Sequence, residues 1–477
     1  MKSIFTYTFL FLFAIKAFSF EREYNINLKI KGMENQIGIL AYYYGDKRYV
    51  KDTLLFNEKG ISIYKGNKEI PRGVYLLAFP SLNYRSFDLI LNETNFSIQT
   101  DTVNFIKNAT IKNSIENQQM FNDMNFMLPL GVKNDSLQKK LKQLNPTDST
   151  FFTTENAINA ISTQIVTHRK DLLKNNPKTF YSKLISVMMD TDIPDGERKK
   201  DGSLVDTFHV FHYIQEHYFD NIDFNDSGYI RSPVFQNKFL NYFNSYVHPS
   251  PDSIIKAIDN VIQKSEKNSE LFQYCLNELF LKYAKSEIMG YDGIYVHIAE
   301  KYYLNKKAWW TTDKNLAELK DRVEALKPTL LGKLAPNFVV QDSTGKNQYF
   351  HDFITKNKYT VLVFWNSDCS HCQHEVPELK RIYTDSLQAL GVGIMAISTE
   401  QTDSSFRAFA AKNCNTEWLT CADMRGVSAF RREYDVIATP KVFIIANNRK
   451  IIAKNITVNK IADIILFEEK LTKQEQH

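Results

Sequence analysis

Glycine is scarce, with 17 residues in a chain of 477, which excludes collagen-like repeats and Gly-rich linkers. Neither sign of charge dominates. There are 59 Lys and Arg against 54 Asp and Glu, a formal net charge of +5, and two of the positive charges, Lys2 and Lys16, fall in a leader expected to be removed. That bias is too weak to imply nucleic acid or a polybasic membrane contact. Beyond the first twenty residues no window is apolar enough to span a bilayer. Internal repeats, low-complexity tracts and cofactor-binding motifs are also missing. Cysteine is sparse, at five residues. Aromatics are abundant, with 34 Phe and 25 Tyr. The 43% hydrophobic and 24% charged residues are globular values that exclude a wholly disordered chain. At about 100–200 residues per domain the length predicts two to four domains.

Residues 1–19 read as a secretory signal peptide: a basic start, an apolar run interrupted by Lys16, and a small-x-small site at Ala17-Phe18-Ser19. No Cys follows the run, so a lipid anchor is not expected. The chain is expected to be exported to the periplasm or cell envelope without spanning the membrane. Its thiols would then work where paired cysteines tend to be joined.

Three regions follow. Residues 20–105 alternate apolar and polar positions with period two, as in Tyr24–Ile30 and Ile37–Tyr44, with turn signals such as Gly45-Asp46 and Lys59-Gly60. This predicts a small antiparallel β-sandwich. Residues 106–330 change to a period of three or four, broken at Pro146, Pro177, Pro194, Pro249 and Pro251, and read as an all-α domain. From 331 to 477 the order of apolar runs and amphipathic stretches predicts an α/β module, in which Thr360–Trp365 and Gly393–Ser398 are buried parallel strands.

The chemistry concentrates in Cys369-Ser370-His371-Cys372, which directly follows Val361-Leu362-Val363-Phe364-Trp365 and opens a helix. A CxxC at a strand-to-helix junction puts its first sulfur at the helix N-terminus, where free N–H groups and the macrodipole favour a thiolate. The second sulfur, one turn further in, is shielded and within reach of a mixed disulfide. Thiol–disulfide exchange requires this asymmetry.

With Trp365 four residues before the pair, Pro377 five after it and Thr439-Pro440 ahead of the terminal hairpin, the C-terminal module resembles the thioredoxin superfamily. Ala335-Pro336-Asn337-Phe338, Asp342-x-x-Gly345 and Cys372-x-x-Glu375-x-Pro377 are similar to the exported TlpA/ResA-like, AhpC/TSA-related thiol:disulfide oxidoreductases of the Gram-negative envelope. The resemblance implies a thioredoxin fold with catalytic Cys369 and Cys372. Glu375 would be proton acceptor for Cys372, since Val363 stands where cytoplasmic thioredoxins hold a buried Asp. It implies a docking surface of Trp365, Ser370, His371, Thr439 and a cis Pro440. Protein disulfides and thiols would be the substrates and a membrane thiol reductase the electron donor, with no cofactor, in cytochrome c maturation or repair of misoxidised envelope proteins. The direction of electron flow stays open: Asp368 opposes a Cys369 thiolate and His371, as in DsbA-like oxidants, favours it, while the surrounding landmarks favour a reductase. Residues 24–105 and 120–326 resemble a β domain and a helical domain of unknown function that precede such modules, the latter around His217–Phe224 and Ala308-Trp309-Trp310.

Other readings compete. Cys369, His371, Cys372 and His374, or His209, His212 and Glu216, carry metal-ligand chemistry but lack a second ligand pair at useful spacing. A peroxiredoxin needs Pro and Thr where Leu362 and Asn366 stand. Cys414 and Cys421 either pair across a sharply folded loop or remain two buried thiols. Cys275, amid Phe272, Tyr274 and Phe280, reads as an inert core residue. A different class is an envelope binding or scaffold protein carrying the module as a passenger.

Overall fold

A computed structural model of the chain describes residues 23–400 and 402–474; the signal peptide expected at 1–19 lies outside them. The chain divides into two compact units. The first runs through Val247 and includes Ser265–Leu271; the second comprises His248–Lys264 and Phe272 onward.

The first unit opens with eight strands: β1 Tyr24–Lys31, β2 Ile37–Tyr44, β3 Lys47–Leu55, β4 Ile61–Gly66, β5 Gly73–Phe79, β6 Arg85–Leu91, β7 Asn95–Asp101 and β8 Thr110–Lys112. They form two four-stranded sheets, ordered β4-β1-β7-β8 and β3-β2-β5-β6. In β1 the residues Ile26, Leu28 and Ile30 are buried and their neighbours exposed, as a strand with one wet face requires. The pairing departs from the antiparallel expectation at one place: β1 and β7 run parallel, Asn25 opposite Asn95. Alternation fixes which face is buried and carries no information on strand direction.

Five helices complete this unit: α1 Ile115–Leu141, α2 Ser149–Asn175, α3 Phe180–Met188, α4 His209–His217 and α5 Phe235–Asn241. Ser114 caps α1 by accepting the Asn117 N–H at 3.1 Å. The buried Glu116 carboxylate accepts the Phe180 and Tyr181 N–H groups, each at 2.8 Å. A charge buried in this way is held by the free donors of the α3 N-terminus.

Further along the chain come α6 Pro251–Ser265, α7 Ser269–Ala284, α8 Tyr291–Ile298 and α9 Asp313–Leu326. The C-terminal module then reads β9 Val339–Asp342, β10 Asn347–Tyr349, α10 Phe350–Ile354, β11 Tyr359–Trp365, α11 Ser370–Ile382, β12 Val392–Ser398, α12 Asp403–Asn413, β13 Leu419–Ala422, α13 Phe430–Glu433, β14 Lys441–Ala446, β15 Ile451–Lys454 and α14 Ile461–Gln474. Its seven strands are ordered β10-β9-β13-β12-β11-β14-β15, with β11, β12 and β13 parallel. Central β11 is buried at every residue. Val361, Val363 and Trp365 join the core under α11, whereas Leu362 and Phe364 face the core holding Phe430 and Tyr434. Two buried faces explain the unbroken apolar run. Within the second unit the helices pack on this module: the Lys454 ammonium is buried and donates to Asp292 Oδ2 of α8 and to the Thr329 carbonyl at 2.9 Å.

Candidate active site

β11 ends at Trp365, and the chain crosses Asn366-Ser367-Asp368 to Cys369. The loop is pinned on both sides. Ser367 N–H donates to Glu400 Oε1 at 2.6 Å, and the Gln373 side chain donates to the Ser367 carbonyl at 2.9 Å. Asp368 N–H donates to Asn366 Oδ1 at 2.9 Å, and Cys369 N–H to the Asn366 carbonyl at 3.3 Å. Cys369 is the N-cap of α11, with extended backbone, and its sulfur accepts the Cys372 N–H at 3.4 Å. The CxxC therefore puts its first sulfur on the free N–H groups of a helix.

The two thiols lie in opposite environments. Cys369 is half-buried and Cys372 is fully buried under α11; both are reduced. Burial works against a Cys369 thiolate. Hydrogen bonds from Cys372, both side chain and backbone, from the Thr439 side chain and from the His371 N–H outweigh it, so the thiol lies below its ordinary value. Burial, reinforced by the neighbouring Cys369, pushes the Cys372 thiol well up. One sulfur is thus poised as a nucleophile and the other is held protonated.

Thr439-Pro440 precedes β14 in the cis form, and the Cys369 thiol donates to the Thr439 carbonyl at 3.0 Å. Thr439 and Pro440 are half-buried while Ile437 and Ala438 stand exposed before them, and Ser370 and His371 are exposed on the first turn of α11. Of these groups, the Thr439 carbonyl is the one in contact with the Cys369 sulfur.

Two expected site residues have other neighbours. Trp365 is completely buried, stacked on Phe409 with ring centroids 4.6 Å apart and on Phe406 at 6.1 Å. It shares the core face with Val361 and Val363, so it supports the site from beneath and offers no surface to a docking chain. Glu375 is half-buried one turn beyond Cys372, yet its Oε2 accepts the Val458 N–H at 2.9 Å, just ahead of α14. Among the described residues no hydrogen bond joins it to Cys372. Sequence reasoning missed Glu400, a buried carboxylate whose Oε2 has no partner among the described residues. Its signal was its place just beyond Ser398, the last residue of parallel strand β12 beside the CxxC-bearing β11.

The remaining cysteines are all buried. Cys414 joins the core under α11 and Cys421 the core on the opposite face of the sheet, so they stand apart as free thiols, raised by burial to about 11 and about 12. Cys275 is fully buried on α7, and its thiol is raised for the same reason. Among the described residues no three His, Cys, Asp or Glu side chains converge as a metal site requires. His212 instead meets Asp206 at 2.7 Å, and His209 meets the Pro194 carbonyl at 3.0 Å. No described helix is long and apolar enough to cross a membrane.

Residues 331–454 match the AhpC/TSA family, while residues 24–120 and 203–328 match two domains of unknown function, DUF4369 and DUF5106. The thiol-disulfide oxidoreductase ResA of Bacillus thuringiensis is 34% identical over 122 residues, covering 26% of this chain and 67% of that protein. The thioredoxin-like protein YneN of Bacillus subtilis is 27% identical, covering 24% and 64%. Among solved structures, a domain of a possible thiol-disulfide isomerase from Cytophaga hutchinsonii is 35% identical, with a TM-score of 0.29, covering 30% of this chain and 97% of that one. A thioredoxin-like protein from Bacteroides caccae is 17% identical, with a TM-score of 0.45, covering 58% and 99%. With a half-buried sulfur on a helix N-terminus and a shielded one a turn behind it, the chain belongs to the ResA-like thiol–disulfide oxidoreductases, through a C-terminal AhpC/TSA thioredoxin-like domain.

Proposed function

We propose that this oxidoreductase acts outside the cytoplasm, in the periplasm, and reduces protein disulfides through Cys369 and Cys372. The observation that carries the reading is the opposed state of the two thiols, Cys369 lowered at the mouth of α11 and Cys372 raised within the core. The Cys369 thiolate attacks one sulfur of a substrate disulfide; the S–S bond breaks and the departing sulfur takes a proton. Cys372 then loses its proton and attacks the Cys369 sulfur, releasing the second substrate thiol. The substrate disulfide gains two electrons and two protons, and the Cys369–Cys372 disulfide forms. Ser370, His371, Thr439 and Pro440 line the approach, and a cis-proline loop beside the sulfur suits a chain docking as an added strand. Glu375 anchors α14 to α11 and is the carboxylate nearest in sequence to Cys372 on its helix. A membrane thiol reductase returns the pair to dithiol. Residues 20–105 form a β-sandwich of the two N-terminal sheets, and residues 106–330 form a helical domain.

Insulin-disulfide reduction by the full chain with dithiothreitol tests the reading. Wild type accelerates precipitation, Cys369→Ser does not, and Cys372→Ser traps a mixed disulfide. Equal rates for wild type and Cys369→Ser would leave the passenger-module reading in its place. A reduction potential near about −270 mV supports a reductant, and one near about −120 mV assigns the oxidising direction instead.

A further inference from the structure

Asp435 lies at the start of the loop leading to Pro440 and is buried with a left-handed backbone, φ 49°. A buried carboxylate needs partners, and this one has two, one from the C-terminal module and one from the helix α9 that precedes it. Lys441, immediately after Pro440, donates to Asp435 Oδ2 at 3.2 Å and to its backbone carbonyl. Lys441 also pairs with Phe364 in the β11–β14 ladder, so the residues between Asp435 and Lys441 form a clasp closed on the strand that leads into the CxxC. The second partner is Arg322 of α9, 113 positions away, whose Nη1 donates to Oδ1 at 2.6 Å. Between the ends of the clasp stand Ile437, 81% exposed, and Thr439, whose carbonyl lies 3.0 Å from the Cys369 sulfur.

We propose that Arg322 is a positioning residue for substrate docking: the helical segment, through Asp435, sets how the Ile437–Pro440 strip is presented beside Cys369. This rests on the redox reading of Cys369 and Cys372, since a docking strip matters only if a polypeptide disulfide is delivered there. Arg322 touches neither sulfur and acts only through Asp435.

Arg322 is 42% exposed, so Arg322→Ala is expected to fold, and Arg322→Lys keeps the charge. Both are tested in the full chain by insulin reduction with KM and kcat separated, and by amide hydrogen exchange of residues 436–439. Arg322→Ala is expected to raise KM about tenfold with kcat near wild type, and to speed exchange in that strip by about tenfold while β14 keeps its protection. Arg322→Lys recovers most of both. Unchanged exchange at Ile437–Thr439 in Arg322→Ala overturns the proposal, as does a drop in kcat alone, or an Arg322→Lys variant no better than Arg322→Ala. Wild-type turnover indifferent to Cys369→Ser would sink the redox reading instead, and the exchange arm still decides the role of Arg322.

Discussion

At the scale of single residues the five cysteines are told apart by their surroundings. Only Cys369 is partly exposed, and only it is lowered from the ordinary thiol value of 9.0. Brief iodoacetamide treatment of the native reduced chain near neutral pH, followed by mass spectrometry, should therefore label Cys369 alone; Cys275, Cys372, Cys414 and Cys421 should react only after unfolding. The two active-site thiols also tilt stability oppositely with pH. A lowered folded value means that Cys369 contributes stability present above pH 9, its unfolded value, and lost as pH falls through the lower folded one. Cys372, raised to about 12, contributes stability fully present below pH 9 and lost as pH rises from 9 toward 12. Urea unfolding at pH 8 and pH 10 should show Cys372→Ala flattening the alkaline loss relative to wild type. Trp365 makes a separate case. Its ring is sealed beneath the site and its indole N–H has no partner among the described residues, so Trp365→Phe should leave KM for a protein disulfide unchanged. Trp365→Ala should cost about 3–5 kcal/mol in urea unfolding.

At the scale of elements the local pieces were legible and their directions and partners were not. The unbroken apolar run of β11, the helix opened by Cys369-Ser370-His371-Cys372 and the terminal hairpin all stand in the sequence, because burial on two faces, N-capping and turn chemistry are local. The parallel pairing of β1 with β7 is not legible, since period-two burial is the same in either direction. Nor is the place of the short β13, four residues long, in the sheet, since that depends on β9 and β12 flanking it. The parity of β11 could have placed Trp365: it shares a face with Val361 and Val363, both core positions. Glu375 shows the same limit, because an acidic residue three positions after Cys372 invites a pairing with that thiol, whereas its partner is Val458, 83 positions on. Losing this charged acceptor leaves a free N–H at the approach to α14, so Glu375→Ala should destabilise the chain by about 1.5–3 kcal/mol. Glu375→Gln should recover part of that in urea unfolding, because its amide oxygen still accepts.

At the scale of the whole molecule the change of pattern at residues 330 and 331 marks a junction in the sequence, yet in the second unit α8 and α9 supply partners for charges that the C-terminal module buries. Lys454 is the clearest instance: its side chain is 3% exposed, and its ammonium is held by Asp292 and by Thr329. A chain cut at residue 331 keeps Lys454 and loses both partners, which leaves a buried ammonium unpaired. Breaking a buried pair in this way costs about 3–5 kcal/mol, so the fragment should unfold at a lower urea midpoint than the same module within the full chain. The sign of one substitution then separates this cause from a general loss of packing. In the fragment, Lys454→Met removes an unpaired buried charge and should raise the midpoint. In the full chain the same substitution deprives Asp292 and the Thr329 carbonyl of their donor and should lower it. If Lys454→Met shifts both midpoints in the same direction, Lys454 is not what couples the module to the helices before it.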